Sequence, residues 1–351
     1  ISIPARIGLF IGSGNYVITV GFGTPTRTQT VVFDTGSDVN WLQCKPCAVR
    51  CYAQQEPLFD PSLSSTYRNV SCTEPACVGL STRGCSSSTC LYGVFYGDGS
   101  STIGFLAMDT FMLTPAQKFK NFIFGCGQNN TGLFQGTAGL VGLGRSSTYS
   151  LNSQVAPSLG NVFSYCLPST SSATGYLNIG NPQNTPGYTA MLTDTRVPTL
   201  YFIDLIGISV GGTRLSLSST VFQSVGTIID SGTVITRLPP TAYSALKTAV
   251  RAAMTQYTLA PAVTILDTCY DFSRTTSVVY PVIVLHFAGL DVRIPATGVF
   301  FVFNSSQVCL AFAGNTDSTM IGIIGNVQQL TMEVTYDNEL KRIGFSAGAC
   351  P

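Results

Sequence analysis

The chain has 351 residues, 45% of them hydrophobic and only 10% charged, with a formal net charge of +1. Such a composition fills a large core and excludes a disordered chain. Near neutrality leaves no basic surface for phosphates, so no nucleic-acid partner is expected, and no run of about 18 apolar residues occurs that would cross a membrane as a helix.

Residues 14–23 alternate like a strand and end at the turn Thr24-Pro25. Residues 30–33 form the next strand and deliver Asp34, in the run Val31-Val32-Phe33-Asp34-Thr35-Gly36-Ser37. Trp41 is the only tryptophan, a residue that ordinarily packs in a core. Residues 44–90 are a cysteine-rich insert, expected to be stapled loop with little regular structure. Residues 91–95 and 102–106 read as a hairpin whose tip, Tyr96-Gly97-Asp98-Gly99-Ser100, is rich in glycine and able to hinge. Residues 122–126 and 140–143 read as buried strands, 150–155 as a short helix, and 162–167 and 175–179 as strands of a sheet joining two lobes. A boundary is expected at Gly180-Asn181-Pro182, giving domains 1–180 and 181–351.

In the second half, strands at 201–210 and 214–215 flank the turn Gly211-Gly212. Residues 227–230 form a strand. Residues 239–257 read as a helix, because Tyr243, Leu246, Val250 and Met254 recur on one face behind a proline start. Strands are predicted at 278–287, 299–303, 308–313 and 330–336. Sequons begin at Asn69, Asn129 and Asn304, the candidates for glycosylation. The chain begins at Ile1 without a basic-then-apolar leader pattern, so it is expected to be a mature form.

Twelve cysteines, seven of them in the insert (Cys44, Cys47, Cys51, Cys72, Cys77, Cys85 and Cys90), suit an oxidising compartment. Spacing at Cys44, Cys47 and Cys51 also has a roughly zinc-like look, but a single histidine in the chain argues against metal. Sequence alone does not fix the pairing.

The strand carrying Asp34 recurs as Thr227-Ile228-Ile229-Asp230-Ser231-Gly232-Thr233. Behind the first copy comes Ala138-Gly139-Leu140-Val141-Gly142-Leu143-Gly144, and behind the second Met320-Ile321-Gly322-Ile323-Ile324-Gly325-Asn326. An apolar strand broken by glycine suits close approach of another backbone. One fold unit used twice explains the matched order. With the tip motif at Tyr96, these runs resemble the pepsin-like aspartic proteases over nearly the whole chain, and the cysteine pattern resembles the plant nepenthesin-like branch, which includes the chloroplast-nucleoid type.

The resemblance implies a mostly all-β, bilobal pepsin-like fold, with two similar barrel-like lobes, a few short helices and a cleft between. It implies Asp34 and Asp230 as catalytic residues, with Thr35 and Ser231 locking the two loops together. Gly36 and Gly232 would offer backbone N–H groups, and Ser37 and Thr233 would bond the outer carboxylate oxygens. Residues 91–106 would be a flap closing over substrate, with Tyr96, Gly97 and Asp98 at its tip and Trp41 holding Tyr96. It implies disulfides Cys44–Cys47, Cys51–Cys126, Cys72–Cys90, Cys77–Cys85, Cys166–Cys350 and Cys269–Cys309. It further implies synthesis as a zymogen, an extended polypeptide substrate with large apolar residues at the cut, and inhibition by pepstatin-type compounds. The expected protein is a monomer without cofactor, metal or membrane partner, secreted to the apoplast or vacuolar, with the plastid also open.

Two carboxyls facing each other cannot both ionise, so they share a proton. The ionised one takes a proton from water, the protonated one donates to the amide carbonyl, and the pair titrates as a unit. Activity is therefore expected at acidic pH without an acyl-enzyme. Two rivals remain. Gly207-Ile208-Ser209-Val210-Gly211 matches the serine-hydrolase elbow, with Asp267 and His286 following in order. The other rival is a catalytically silent binding protein on the same fold, like the plant xylanase inhibitors and storage globulins.

Overall fold

The computed structural model describes residues 1–351. Strands dominate, with few short helices. The chain forms two compact units: Ile1–Phe163 with Thr170–Gly180, and Ser164–Ser169 with Asn181–Pro351. The hexapeptide 164–169 joins the second unit because its side chains are spoken for there. Ser164 Oγ donates to the buried Glu333 carboxylate at 2.7 Å, Tyr165 OH bonds Gln329, and Cys166 is linked to Cys350.

In the first unit, Tyr16–Phe22 pairs antiparallel with Arg27–Asp34. Most of both runs is buried, the polar Gln29 and Thr30 included, so burial along them does not simply alternate. Gly139–Gly142 runs parallel to Arg27–Asp34, with Gly142 beside Asp34. Trp41–Gln43 lies antiparallel to Gly139–Gly142 and parallel to part of Gln117–Thr131. The core beneath is aromatic: the Phe22 ring sits 5.1 Å from both Phe111 and Phe124. Ser101–Thr114 and Gln117–Thr131 form one long hairpin, far longer than the strands predicted at 102–106 and 122–126. Its turn end carries Gln117, Lys118, Lys120 and Asn121, which dilute the apolar signal.

The insert holds only short pieces of structure, among them Pro61–Leu63, Arg68–Asn69, Pro75–Val78 and Arg83–Ser86. Its disulfides differ from those the resemblance implies. Cys44 bonds Cys126 rather than Cys47, because the parallel strands Trp41–Gln43 and Gln117–Thr131 bring the two buried residues side by side, 5.3 Å between Cα atoms. That leaves Cys47 to pair with Cys51 instead of Cys51 with Cys126. Cys77 and Cys90 are both buried in one apolar cluster with Val70, Leu80 and Tyr92, and they bond each other. Cys85 is exposed and is taken by Cys72, so Cys72–Cys90 and Cys77–Cys85 do not form. The chain also links Cys269 with Cys309. All twelve cysteines are bonded, which removes the zinc alternative at Cys44, Cys47 and Cys51.

In the second unit, Thr227–Ile229 runs parallel to Gly322–Ile324. Thr236–Leu238 lies parallel to Phe312–Gly314 and meets Gly322–Ile324 antiparallel at Arg237 and Ile323. The helix is Pro240–Ala253, burying Ala242, Tyr243, Leu246 and Val250; it stops short of 257 because Met254 leaves helical geometry. The strand expected at 278–287 begins only at Ile283, since Pro281 cannot join a ladder as a donor. The one expected at 330–336 is Glu333–Asp337, because Thr331 has φ 59° and cannot be extended. Gly187–Leu192 and Arg342–Ser346, which pair with each other, escaped prediction. Their stretches carry proline, glycine and charge that mask the pattern.

Candidate active site

Each unit builds the same cradle around one aspartate. In the first, Asp34 ends its strand and is 5% exposed. Its Oδ1 accepts the Gly36 N–H at 2.8 Å and its Oδ2 the Ser37 hydroxyl at 2.5 Å. In the second, Asp230 is 7% exposed; Oδ1 accepts the Gly232 N–H at 2.8 Å and Oδ2 the Thr233 hydroxyl at 2.6 Å. Thr35 and Ser231, between each aspartate and its glycine donor, are fully buried. Charge-assisted bonds of this kind hold a carboxylate in one orientation.

The glycines behind each aspartate are there for space. A Cβ on Gly142 would stand 2.4 Å from the Asp38 carbonyl carbon, and one on Gly325 would stand 2.8 Å from the Val234 oxygen. Both obstacles are backbone, so no larger residue fits without moving the turn. Each glycine N–H is also held by a side chain six residues after the aspartate: Gly142 by Asn40 Oδ1 at 3.2 Å, Gly325 by Thr236 Oγ1 at 2.9 Å. Sequence reading missed this pair. The signal was present, since Asn40 and Thr236 occupy the same place after their aspartates.

Around Asp34 the first unit adds an aromatic wall. Thr89–Phe95 and Ser101–Thr114 form the predicted hairpin, Phe95 opposite Ser101. The Trp41 indole N–H donates to the Tyr96 hydroxyl at 2.8 Å. Burial, reinforced by the Asp34 charge, pushes the Tyr96 phenol well above its ordinary range, so it stays protonated. Phe134, unanticipated from sequence, packs edge-on to Trp41 at 4.9 Å and to Tyr96 at 5.4 Å. Asp98 is exposed at the tip, and its oxygens accept from the Ser100 N–H and hydroxyl at 2.8 and 2.9 Å. Gly97 and Gly99 are exposed, with open space where a side chain would go.

Around Asp230 the second unit uses amides. Gln329 Nε2 donates to the Asp230 carbonyl at 3.1 Å and to Ile324 O at 2.9 Å, and Asn326 Nδ2 donates to Ser231 O at 3.0 Å. No group of three or more His, Cys, Asp or Glu side chains is placed to hold a metal ion.

The serine-hydrolase motif meets a partial match. Ser209 Oγ lies 2.6 Å from His286 Nε2, and His286 Nδ1 lies 2.6 Å from Asp291 Oδ1. Asp267 is elsewhere, bonded to Tyr243 and Lys247. Ser209 sits within the strand Leu205–Val210, 7% exposed, with both neighbouring strands paired to it. An elbow needs a strand, a sharp turn and then a helix, with free N–H groups for an oxyanion. Here the next element is the strand Thr213–Arg214, so the three side chains clamp a sheet. Of the sequons, Asn304 lies at a tight turn with its Oδ1 accepting from Ser306, Asn69 accepts from Tyr67, and Asn129 lies inside a paired strand.

Two ψ-shaped strand crossings, each cradling a buried aspartate in a Gly N–H and a hydroxyl, define the pepsin-like class. Residues 16–181 match the xylanase inhibitor N-terminal family and residues 200–347 the xylanase inhibitor C-terminal family. An aspartyl protease family protein from Arabidopsis thaliana is 48% identical over 99% of this chain and 75% of its own length. Aspartic proteinase nepenthesin-1 from Nepenthes gracilis is 34% identical over 97% of this chain and 79% of its own. The fold is also that of Basic 7S globulin from soybean, at TM-score 0.78 and 19% identity, covering 99% and 96% of the two chains. The chain belongs to the plant pepsin-like aspartic protease family.

Proposed function

We propose that the protein is an aspartic endopeptidase that hydrolyses peptide bonds in polypeptides at acidic pH. The observation that carries this reading is the pair of matching cradles: Asp34 and Asp230 each accept one backbone N–H and one hydroxyl, with nearly equal distances. In the reading, the two carboxylates share one proton and act on one water. The ionised member removes a proton from the water as it attacks the scissile carbonyl carbon. The protonated member donates to the carbonyl oxygen, giving a neutral gem-diol. Collapse returns a proton to the amide nitrogen, the C–N bond breaks, and no acyl-enzyme forms. The hairpin tip at Tyr96 closes over an extended peptide, and its protonated phenol supplies a fixed donor beside Asp34. Six disulfides suit passage through an oxidising secretory route to the apoplast or vacuole.

A binding protein without turnover is the second reading, favoured by the inhibitor families that both halves match. Cleavage of a denatured protein between about pH 2 and about pH 7 decides between them, with and without pepstatin and alongside Asp34→Asn. Acid-optimal, pepstatin-blocked cleavage that the variant lacks supports the protease. A folded, disulfide-intact protein that cleaves nothing supports the binder.

A further inference from the structure

The strand Phe300–Asn304 forms one edge of a four-stranded sheet, beyond Gln307–Leu310, Cys269–Asp271 and Thr258–Ala260. An edge strand offers unpaired backbone groups to other chains, and charges or prolines commonly guard it. This one reads Phe-Phe-Val-Phe-Asn and has neither. Val302 is 61% exposed and Phe303 45% exposed, and the Phe303 ring stands 5.0 Å from that of Phe301. A bulge between Val302 and Asn304 is the guard within the strand itself. The bulge also breaks the strict alternation of faces, so that rule does not separate Phe303 from Asn304.

At the end of this strand, Asn304-Ser305-Ser306 is a sequon on a hairpin tip. Asn304 pairs with Gln307, and all three sequon residues are exposed. The Ser305 carbonyl accepts the Phe272 N–H at 2.9 Å, which pins the tip to the sheet. Asn304 Oδ1 accepts from the Ser306 N–H and hydroxyl at 3.0 and 2.7 Å, leaving Nδ2 without a partner. The other two sequons are set differently. Asn129 is half-buried, with Ile103 on one side and Arg50 on the other. Asn69 is exposed, but its aromatic neighbour Tyr67 has its ring committed to Phe59 and Phe124.

We propose that Asn304 carries an N-linked glycan whose first N-acetylglucosamine lies on the Phe303 ring and covers this edge strand. The inference rests on the secretory route in the functional reading. In the modification, Asn304 Nδ2 attacks C1 of the reducing-end sugar of a lipid-pyrophosphate-linked oligosaccharide. An N–C bond forms, the C–O bond to pyrophosphate breaks, one amide proton passes to the transferase, and the lipid pyrophosphate leaves. The C–H bonds on one face of the sugar carry slight positive charge and suit the negative face of a phenyl ring. Stacking takes both surfaces out of water.

The test secretes the chain behind a heterologous signal peptide from a eukaryotic cell, so acceptance at Asn304 is read whatever the natural route. Peptide mapping by mass spectrometry is expected to find glycan on Asn304 in most molecules and none on Asn129. Removing the whole glycan with a peptide N-glycosidase is expected to lower Tm by about 2 °C, and trimming it to one sugar is expected to keep Tm unchanged. In Phe303→Ala, whose side chain is exposed enough to leave folding intact, complete removal shifts Tm no further. Unmodified Asn304 in the secreted protein, or a fall in Tm that is the same with and without Phe303, overturns the proposal. Occupancy of Asn304 in the secreted chain, with every sequon bare in protein taken from plant tissue, upholds the acceptor site and overturns the secretory route instead.

Discussion

The turns at Asp34 and Asp230 are alike where they touch the carboxylate and unlike one step away. Both give Oδ1 to a glycine N–H and Oδ2 to a hydroxyl. Beyond that, Asp34 has an aromatic wall of Trp41, Tyr96 and Phe134, and Asp230 has the amides of Gln329 and Asn326. Even the clasp on the glycine N–H changes residue, Asn40 in one and Thr236 in the other, while keeping its job. On the proposed proteolytic reading, both carboxylates act together, which accounts for the matching of the two cradles. The shell outside it differs, with an aromatic hairpin on one side and an amide network on the other.

The sharpest way to break the comparison is to remove each carboxylate in turn. Asp34→Asn and Asp230→Asn are expected to lower kcat by similar factors, on the order of 10³ or more, as loss of a general acid–base pair predicts. The double variant should be little worse, because groups acting as a unit are not additive. Unequal losses in single-turnover assays would show that the two turns do different work.

Disulfides contrast the units in stability. Cys166–Cys350 closes a sequence separation of 184 and Cys47–Cys51 one of 4. Chain-entropy scaling predicts a loss of about 5 kcal/mol for the first and about 2 kcal/mol for the second when each is replaced by a serine pair. Urea unfolding at neutral pH measures both.

Ser37→Ala and Thr233→Val probe the matched hydroxyls. Each removes a bond to a carboxylate Oδ2, worth about 2 kcal/mol. Losing that bond loosens the carboxylate, and kcat/KM is expected to fall roughly thirtyfold in both variants. A loss in only one would mean that the two turns do different work.

The aromatic wall is tested with Tyr96→Phe and Trp41→Phe. The ring contact to Phe134 survives in Tyr96→Phe, but the 2.8 Å bond is lost. A double-mutant cycle in stability should return a coupling of about 1 kcal/mol.

The smallest effect concerns Asp267. Its carboxyl is partly buried, which opposes ionisation, but Lys247, Tyr243 and Thr268 outweigh this and hold its pKa below the ordinary value. A depressed carboxylate contributes stability above its unfolded pKa and loses it as pH falls through the folded value. With 43% of the side chain exposed, the contribution is under about 1 kcal/mol. Asp267→Asn should therefore lower Tm slightly at neutral pH and leave it unchanged at strongly acidic pH.

The sequence by itself carried the repeated Asp-hydroxyl-Gly turns, the glycine strands behind them, the hairpin at Tyr96 and the helix around Leu246. Those features are local: a turn type, an alternation or a helical face is written in consecutive residues. It also exposed the Ser209 motif, but not that Asp291 rather than Asp267 would stand beyond His286. Tertiary structure decided what depends on strands meeting from far apart. The disulfide partners of Cys44 and Cys90, the placing of Phe134 against Trp41 and the clasp of Asn40 on Gly142 all follow from sheet register and burial. Register is set by the whole core at once, and for that reason no stretch of this chain announces it.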